Sequence, residues 1–286
     1  MANDLDRRSD AAGAGRLRSS ERTENFPVAL RLLPARWRGD LRAVYDFART
    51  VDDLGDEAGG DRCALLDEFA QDAGLIWAGG APRSPVLRRL AVTVHANGLP
   101  HQPFLELIEA NRRDQRVSRY RSYPDLLSYC ALSANPVGRI VLGVFGVAAG
   151  PGELELSDRV CSALQLVEHW QDVAEDRRAG RIYLPTEDLD AFGVAETDLD
   201  LAPAPAAVRR LLQFETDRAA ALLDSGAPLV GRVRGWARLA LAGYVAGGRG
   251  AVDALRRAGY DVSVTAPKGR RRDVLRHAVR LLASRR

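Results

Sequence analysis

The chain has 286 residues, of which 46% are hydrophobic and 28% charged, and its net charge is +3. It is long enough to bury a substantial core, and its longest apolar stretch, residues 140–149, is too short to span a bilayer. Three widely separated cysteines without a CxxC pair argue against a zinc site or a disulfide framework. We therefore expect a cytoplasmic protein whose membrane contact, if any, is peripheral.

Most of the chain has the pattern of helices. Residues 1–22 are polar and predict a flexible N-terminal arm, with order beginning near Glu24. Further on, apolar residues recur at spacings of three and four, and Gly, Pro or Asn mark the joins. An Asp- and Pro-rich stretch, 185–205, is expected to be a loop. The predicted helices are 41–53, 61–77, 86–97, 102–116, 123–133, 138–149, 158–177, 206–224, 230–246 and 251–258. The sequence thus predicts an all-α single domain over residues 23–265, a bundle of eight to ten helices around a central cavity.

The C-terminal residues 266–286 differ from the rest in charge. Residues 268–286 carry +7, so the remainder of the chain carries −4. Apolar residues at helical spacing among the arginines predict a basic amphipathic helix: Val274, Leu275, Ala278, Leu281 and Leu282. Such a helix lies on anionic lipid or packs by one face on the domain, and both alternatives stay open. Nucleic-acid binding is not expected, because the rest of the chain is acidic and has no recognisable reading motif.

The segment YDFARTVDDLGDE places four polar residues on one helical face. Tyr45, Arg49, Asp52 and Asp56 follow one another at steps of four, three and four. Carboxylates at i and i+4 repel, so a counter-ion is expected beside Asp52 and Asp56. Mg²⁺ suits this arrangement, because it binds few protein carboxylates and completes its shell with water and phosphate oxygens.

A second stripe lies in LQLVEHWQDVAEDRRAGRIYLP. Gln165, Glu168, Asp172 and Asp176 share a face at steps of three, four and four. Their helix also carries Leu166, Val167 and Trp170, so these carboxylates are not expected to face open water, and they need metal or cationic partners. Two such stripes facing each other in a bundle could hold a diphosphate through bridging Mg²⁺.

The two stripes resemble the Asp-rich helices of the squalene and phytoene synthase family, and the resemblance runs from about residue 24 to residue 260. Three segments, ENFPVALRLLP, YCALSANPVGR and HWQDVAEDRRAGRIYLP, are most similar to the bacterial members that form hydroxysqualene. The resemblance implies the isoprenoid synthase fold. It also implies catalysis with Mg²⁺ on presqualene diphosphate, whose ionisation and capture by water give hydroxysqualene.

The family resemblance also implies roles for individual residues. Asp52, Asp56, Asp172 and Asp176 would be catalytic metal ligands, and Tyr129 would be catalytic in the pocket. The implied substrate-binding residues are Asn25, Tyr45, Arg49, Gln165, Glu168, Arg181 and Tyr183. Glu168 stands where the family normally has Asn, so it is also a candidate metal ligand. Gln171 stands where relatives that join two prenyl diphosphates often have Arg, which favours a substrate with one diphosphate.

A carbocation formed in this cavity must be shielded from premature water. The expected apolar and aromatic wall consists of Phe26, Tyr129, Leu132, Val137, Val141, Phe145 and Trp170. Asn135 or Tyr129 could hold the capturing water, and Pro136 is expected to interrupt the helix there. We expect Arg49 together with Arg177 or Arg181 to neutralise the diphosphate, and His169 to be a surface partner of acidic residues.

Two alternatives remain open. One is an enzyme of the same fold that condenses two prenyl diphosphates into presqualene diphosphate or phytoene. The other is a non-catalytic helical scaffold that binds partners through its acidic faces and basic tail. The sequence has no dinucleotide-binding fingerprint, so a reductive variant of the reaction is not expected.

Overall fold

The computed structural model describes residues 33–284. The predicted arm, Asn25 and Phe26 lie outside the described residues. Within them the α-helices are α1 (Ala35–Asp56), α2 (Arg62–Gly74), α3 (Pro85–Asn97), α4 (Gln102–Asp114), α5 (Tyr123–Ser133), α6 (Asn135–Val144), α7 (Pro151–Gln171), α8 (Val173–Arg178), α9 (Thr186–Phe192), α10 (Ala206–Gly226), α11 (Leu229–Arg232), α12 (Gly235–Arg257) and α13 (Arg271–Ala283). In this part of the chain the only β-pairing is an isolated bridge between Arg119 and Ile182, so the all-α prediction is confirmed.

The predicted helix boundaries fail mainly where Gly and Pro were interpreted as breaks. Residues 185–205 are not only loop, because they contain α9 and a 3₁₀-helix, Glu196–Asp200. The predicted break between residues 246 and 251 is wrong, since α12 runs through it. A Cβ on Gly248 would lie 2.5 Å from Leu164 Cδ2, and one on Gly250 would lie 2.7 Å from Val274 Cγ2. These glycines allow close helix packing inside an intact helix.

The interruption expected at Pro136 is present, but it is only one residue long. Helix α5 ends at Ser133, and α6 begins at Asn135 with Pro136 in its first turn, where the missing N–H costs no helical hydrogen bond. Because Pro136 starts a helix here, α6 begins three residues before the predicted position. It ends at Val144, and Gly146 follows with a φ of +66°.

Helix α7 is the central element of the bundle and packs against α5, α6, α10 and α12. Its Trp170 and Leu166 are fully buried, as are Phe47 of α1 and Phe104 of α4. Burying each large apolar side chain contributes roughly 1.5–3 kcal/mol, so these contacts fix the helices that surround the cavity.

A buried ionic cluster joins α9 to α10. Glu215 is 1% exposed and accepts two hydrogen bonds from Arg218, at 2.6 and 2.7 Å. The same Arg218 nitrogen donates to Asp188 at 2.7 Å, so one guanidinium serves two carboxylates. Burial raises the pKa of Glu215 to about 8, because the attraction of the shared Arg218 does not outweigh the loss of hydration.

The tail helix α13 packs on the domain by one face. Leu281 is buried in the core, and Val274, Ala278 and Leu282 pack beside it. Leu275, predicted to share this stripe, is instead 65% exposed, because it lies beside the packed face, roughly 100° around the helix from Val274. Among the residues described, no helix has the length and apolarity needed to cross a membrane.

Candidate functional site

A cavity of about 370 Å³ lies among α1, α4, α5, α6 and α7. One part of its wall is apolar and includes Leu41, Val44, Leu107, Val137 and Val141. The rest is polar, and nine of the predicted site residues line it: Tyr45, Arg49, Asp52, Asp56, Tyr129, Gln165, Glu168, Arg181 and Tyr183. The cavity therefore offers an apolar wall and a charged end to the same ligand.

Asp52 and Asp56 lie on the cavity face of α1, as the spacing predicts. Asp52 Oδ1 accepts a hydrogen bond of 3.1 Å from Asn111 Nδ2 of α4. Burial, reinforced by the charge of Asp56, raises the pKa of Asp52 to about 6, although the hydrogen bond from Asn111 acts in the opposite direction. A cation that enters the cavity would therefore stabilise the ionised form of Asp52.

Gly55 sets the distance between α1 and α4 beside these carboxylates. A Cβ at this position would lie 2.4 Å from Asn111 Oδ1. The Gly55 carbonyl also accepts a 2.9 Å hydrogen bond from Gln115 Nε2. The glycine in DDLGDE therefore has a packing role that keeps Asn111 beside Asp52.

The arginines near the first stripe differ in where they point. Arg181 Nη1 donates to Asp56 Oδ1 at 2.7 Å and lines the cavity. Arg49 also lines the cavity but pairs along its own helix, with Asp53 at 2.9 Å and Glu57 at 3.0 Å. The sequence left Arg177 or Arg181 as the second arginine of the site, and Arg181 is the one that lines the cavity.

Arg177 points elsewhere. Its guanidinium pairs with Asp200 at 3.0 Å and with Glu196 at 3.4 Å, both in the 3₁₀-helix. It does not line the cavity.

The second stripe is divided by a break in the helix. Helix α7 ends at Gln171 and α8 begins at Val173, with Asp172 between them at φ −103° and ψ 14°. Gln165 and Glu168 line the cavity, whereas Asp172 and Asp176, both predicted metal ligands, are not among its lining residues. Burial, followed by the charges of Asp176 and Glu175, raises the pKa of Asp172 to about 6.

Two tyrosine hydroxyls meet at one carboxylate in the cavity wall. Tyr129 Oη donates to Asp114 Oδ2 at 2.6 Å, and Tyr183 Oη lies 3.5 Å from Asp114 Oδ1. Burial raises the pKa of Asp114 to about 6, while the hydrogen bond from Tyr129 lowers it. Burial also raises the pKa of Tyr129 well above its ordinary value, so this hydroxyl stays protonated.

His169 is not the surface residue expected from the sequence. It is 7% exposed and stacks on the Tyr183 ring, with centroids 3.6 Å apart. Its Nε2 lies 3.1 Å from the amide nitrogen of Gln165, and its Nδ1 lies 3.6 Å from Asp176 Oδ2. An accepting Nε2 leaves the proton on Nδ1, facing Asp176, so the ring links the two halves of the second stripe.

Several predicted wall residues lie elsewhere. Leu132, Phe145 and Trp170 pack in the apolar core and do not line the cavity. Asn135 is buried between helices, where its Oδ1 accepts a 2.9 Å hydrogen bond from Ser162. Asn135 does not line the cavity, whereas Tyr129 does, so Tyr129 is the remaining candidate for holding the water.

Gln171 does not line the cavity either. Its side-chain amide donates to the carbonyl oxygen of Pro267, in the segment before α13. The presence of Gln where relatives often have Arg therefore gives no direct information on the number of diphosphates that the cavity holds.

Sequence reasoning missed Asn111, Asp114 and the burial of His169. The first two lie three residues apart on α4, in a polar stretch that is typical of a solvated helix face. A partial signal was present, because residues three apart share a face of the predicted helix 102–116. Nothing in the sequence indicated that this face meets α1 and α5.

The carboxylates fit a divalent metal by donor chemistry, although they do not form a closed cage. Over residues 33–284, no three His, Cys, Asp or Glu side chains come close enough together to hold an ion. Mg²⁺ needs only one or two carboxylates when substrate phosphates complete its shell. Crowded carboxylates with raised pKa values, such as Asp52 and Asp172, are consistent with that use.

The squalene/phytoene synthase family model matches residues 20–279. The chain belongs to the squalene/phytoene synthase family. This confirms the resemblance inferred from the two Asp-rich helices. Members of the family generally act on prenyl diphosphates with a divalent metal.

Among curated relatives, the hydroxysqualene synthase of Rhodopseudomonas palustris is 36% identical over 227 residues, which cover 77% of this chain and 76% of the relative. That of Zymomonas mobilis is 35% identical over 70% of this chain and 67% of the relative. The phytoene synthase of Arthrospira platensis is 31% identical and covers 74% of this chain and 73% of its own.

Solved structures of family members share the fold. The squalene synthase HpnC of Alicyclobacillus acidocaldarius superposes with a TM-score of 0.78 at 41% identity, covering 90% of this chain and 97% of its own. A dehydrosqualene synthase in complex with a ligand gives a TM-score of 0.83 at 25% identity, covering 96% and 97%. The predicted isoprenoid synthase fold is thus confirmed.

Proposed function

We propose that this enzyme is a hydroxysqualene synthase, which converts presqualene diphosphate and water to hydroxysqualene and diphosphate. The observation that carries the proposal is the similarity to three hydroxysqualene synthases, at 32–36% identity. The geometry is compatible with it, because the cavity joins an apolar wall to an end lined by carboxylates and Arg181.

The charged end would receive the diphosphate. Arg181 is already held against Asp56, and Arg49 lies one turn before Asp52 on the same helix. Asp52 and Asp56 on one side, and Glu168, Asp172 and Asp176 on the other, would hold Mg²⁺, which supplies Lewis acidity to the leaving oxygens. Asn25, outside the described residues, stays a predicted diphosphate contact.

The rearranged cation would lie against the apolar wall and the rings of Tyr129 and Tyr45, which stabilise positive charge without reacting. Capture by water forms a C–O bond and releases one proton. We assign its acceptance to the pair of Tyr129 and Asp114. Tyr129 Oη takes the proton from the water oxygen while its own proton passes to Asp114 Oδ2, 2.6 Å away.

The decisive experiment is product analysis from presqualene diphosphate with Mg²⁺, with and without NADPH. Hydroxysqualene formed without NADPH supports the proposal, whereas squalene formed only with NADPH points to the reductive variant. A third outcome is that the enzyme joins two prenyl diphosphates and releases diphosphate from them. That result would favour the alternative of a condensing enzyme.

A pair of variants tests the site itself and the alternative of a non-catalytic scaffold. Asp52→Ala and Asp172→Ala should each lower Mg²⁺-dependent turnover by at least about 100-fold. Asp67→Ala provides the control, because this residue of α2 pairs with Arg112 outside the cavity. Unchanged turnover in both site variants would overturn the site assignment.

A further inference from the structure

The outward face of α13 combines exposed apolar and basic side chains. Leu275 is 65% exposed and Val279 is 56% exposed, and they lie one turn apart on the same side of the helix. Four arginines share this solvent side, all of them exposed: Arg271, Arg272, Arg276 and Arg280. The other side of α13 makes the helix's contacts with the domain, so the exposed face does not contribute to the core.

The charge of this face is compensated only in part. Asp273, the one acidic residue of α13, is 7% exposed and pairs inward with Arg257 at 2.9 Å. His277 likewise points inward, with Nε2 2.8 Å from Asp253. Arg276 lies 3.6 Å from both Asp253 and Asp273, and Arg272 lies 3.9 Å from Asp273. Within the described chain, Arg271 and Arg280 have no carboxylate within 4 Å. The four arginines thus have between them two carboxylates that are also paired with Arg257 and His277, so positive charge stays in excess on the outward face.

We propose that the outward face of α13 docks the protein on an anionic phospholipid bilayer. Arginines would contact lipid phosphates, and Leu275 and Val279 would enter the boundary between headgroups and acyl chains. A nucleic acid would also attract the arginines, but it offers no apolar phase for two exposed aliphatic side chains between them. Anionic lipid is the partner that satisfies both parts of the face.

This surface is independent of the proposed reaction, because it contains no cavity residue and its test needs no substrate. The test is cosedimentation of the full-length protein with vesicles of phosphatidylglycerol and phosphatidylcholine, and with vesicles of phosphatidylcholine alone, at 0.15 M NaCl. We expect clear binding to the anionic vesicles and little binding to the neutral ones.

A matched pair of triple variants locates the surface. In α13, Arg271→Gln, Arg272→Gln and Leu275→Ser together should weaken binding by at least about 30-fold, which is the effect expected from losing two surface charges. In α3, Arg88→Gln, Arg89→Gln and Val92→Ser remove the same charge and one aliphatic side chain that is 70% exposed. That control should change binding less than about threefold, and both variants should retain the wild-type melting temperature.

The single variant Leu275→Ser separates lipid from other polyanions. It should weaken binding to anionic vesicles several-fold and leave binding to heparin unchanged. Equal loss in the two triple variants, or equal binding of the wild type to both kinds of vesicle, would overturn the proposal. Unaltered vesicle binding by Leu275→Ser would also overturn it and would identify a purely electrostatic polyanion surface.

Discussion

Replacing Asp114 by Asn removes the carboxylate that organises two tyrosines in the cavity wall. The amide oxygen can still accept a hydrogen bond from Tyr129, 2.6 Å away in the native protein, but it cannot accept a proton. Positioned proton transfer contributes about 100- to 10,000-fold to the rate of such a step. We therefore expect hydroxylated product to form roughly 100-fold more slowly.

Ionisation should be affected much less, because Asp114 acts on Asp56 and Arg181 only through its charge and has no hydrogen bond to either. Diphosphate release should fall by less than about tenfold, and the cation should escape water capture by losing a proton to give hydrocarbon products. The assay is gas chromatography of the products combined with measurement of diphosphate release. A ratio of alcohol to hydrocarbon equal to that of the wild type would refute the reasoning.

Two further variants separate catalysis from structure. Tyr129→Phe should shift the product ratio in the same direction, and the double variant should be no worse than the stronger single one, because the residues act as one pair. Glu109→Gln makes the same chemical change at an exposed site on α4 and should have no effect.

The folded state raises the pKa of Asp114 from 3.8 to about 6, so this group lowers stability as the pH rises from about 4 to about 6, and the loss is complete above that. Asp114→Asn should therefore not lower the melting temperature at pH 8. A large loss of stability there would mean that Asp114 is needed chiefly for folding.

Three other outcomes follow from the packing and the ion pairs. Gly55→Ala should destabilise the protein by about 1–3 kcal/mol in urea unfolding and lower activity, whereas Gly39→Ala, in open space on the same helix, should stabilise it by up to about 1 kcal/mol. Arg181→Gln should reduce kcat/KM by about 100-fold, and Arg177→Gln, outside the cavity, by less than threefold; similar losses in both would contradict the site. The pKa of Glu215, raised to about 8, means that wild-type stability declines between about pH 5 and pH 8, and Glu215→Gln should flatten this decline in melting temperature.

The sequence by itself determined the fold class and the two carboxylate stripes. Helical periodicity is local, so steps of three and four sufficed to place Asp52 and Asp56, and likewise Gln165 and Glu168, on shared faces. The same local reasoning found the tail helix. It failed at the glycines of α12. Glycine-rich sequence predicts a break in a helix, and only the close packing of neighbouring helices explains why glycines lie within a continuous one.

Only the tertiary structure decided which side chains meet across the cavity. Asp56 and Arg181 are 125 residues apart, and Asp52 and Asn111 are 59 apart, so no local pattern could pair them. The same holds for Asp114. Its part of the sequence is typical of a solvent-exposed helix face, and only the packing of α5 places Tyr129 against it. These pairings depend on how the helices pack, and packing is fixed by the whole core and not by the neighbours of any one residue.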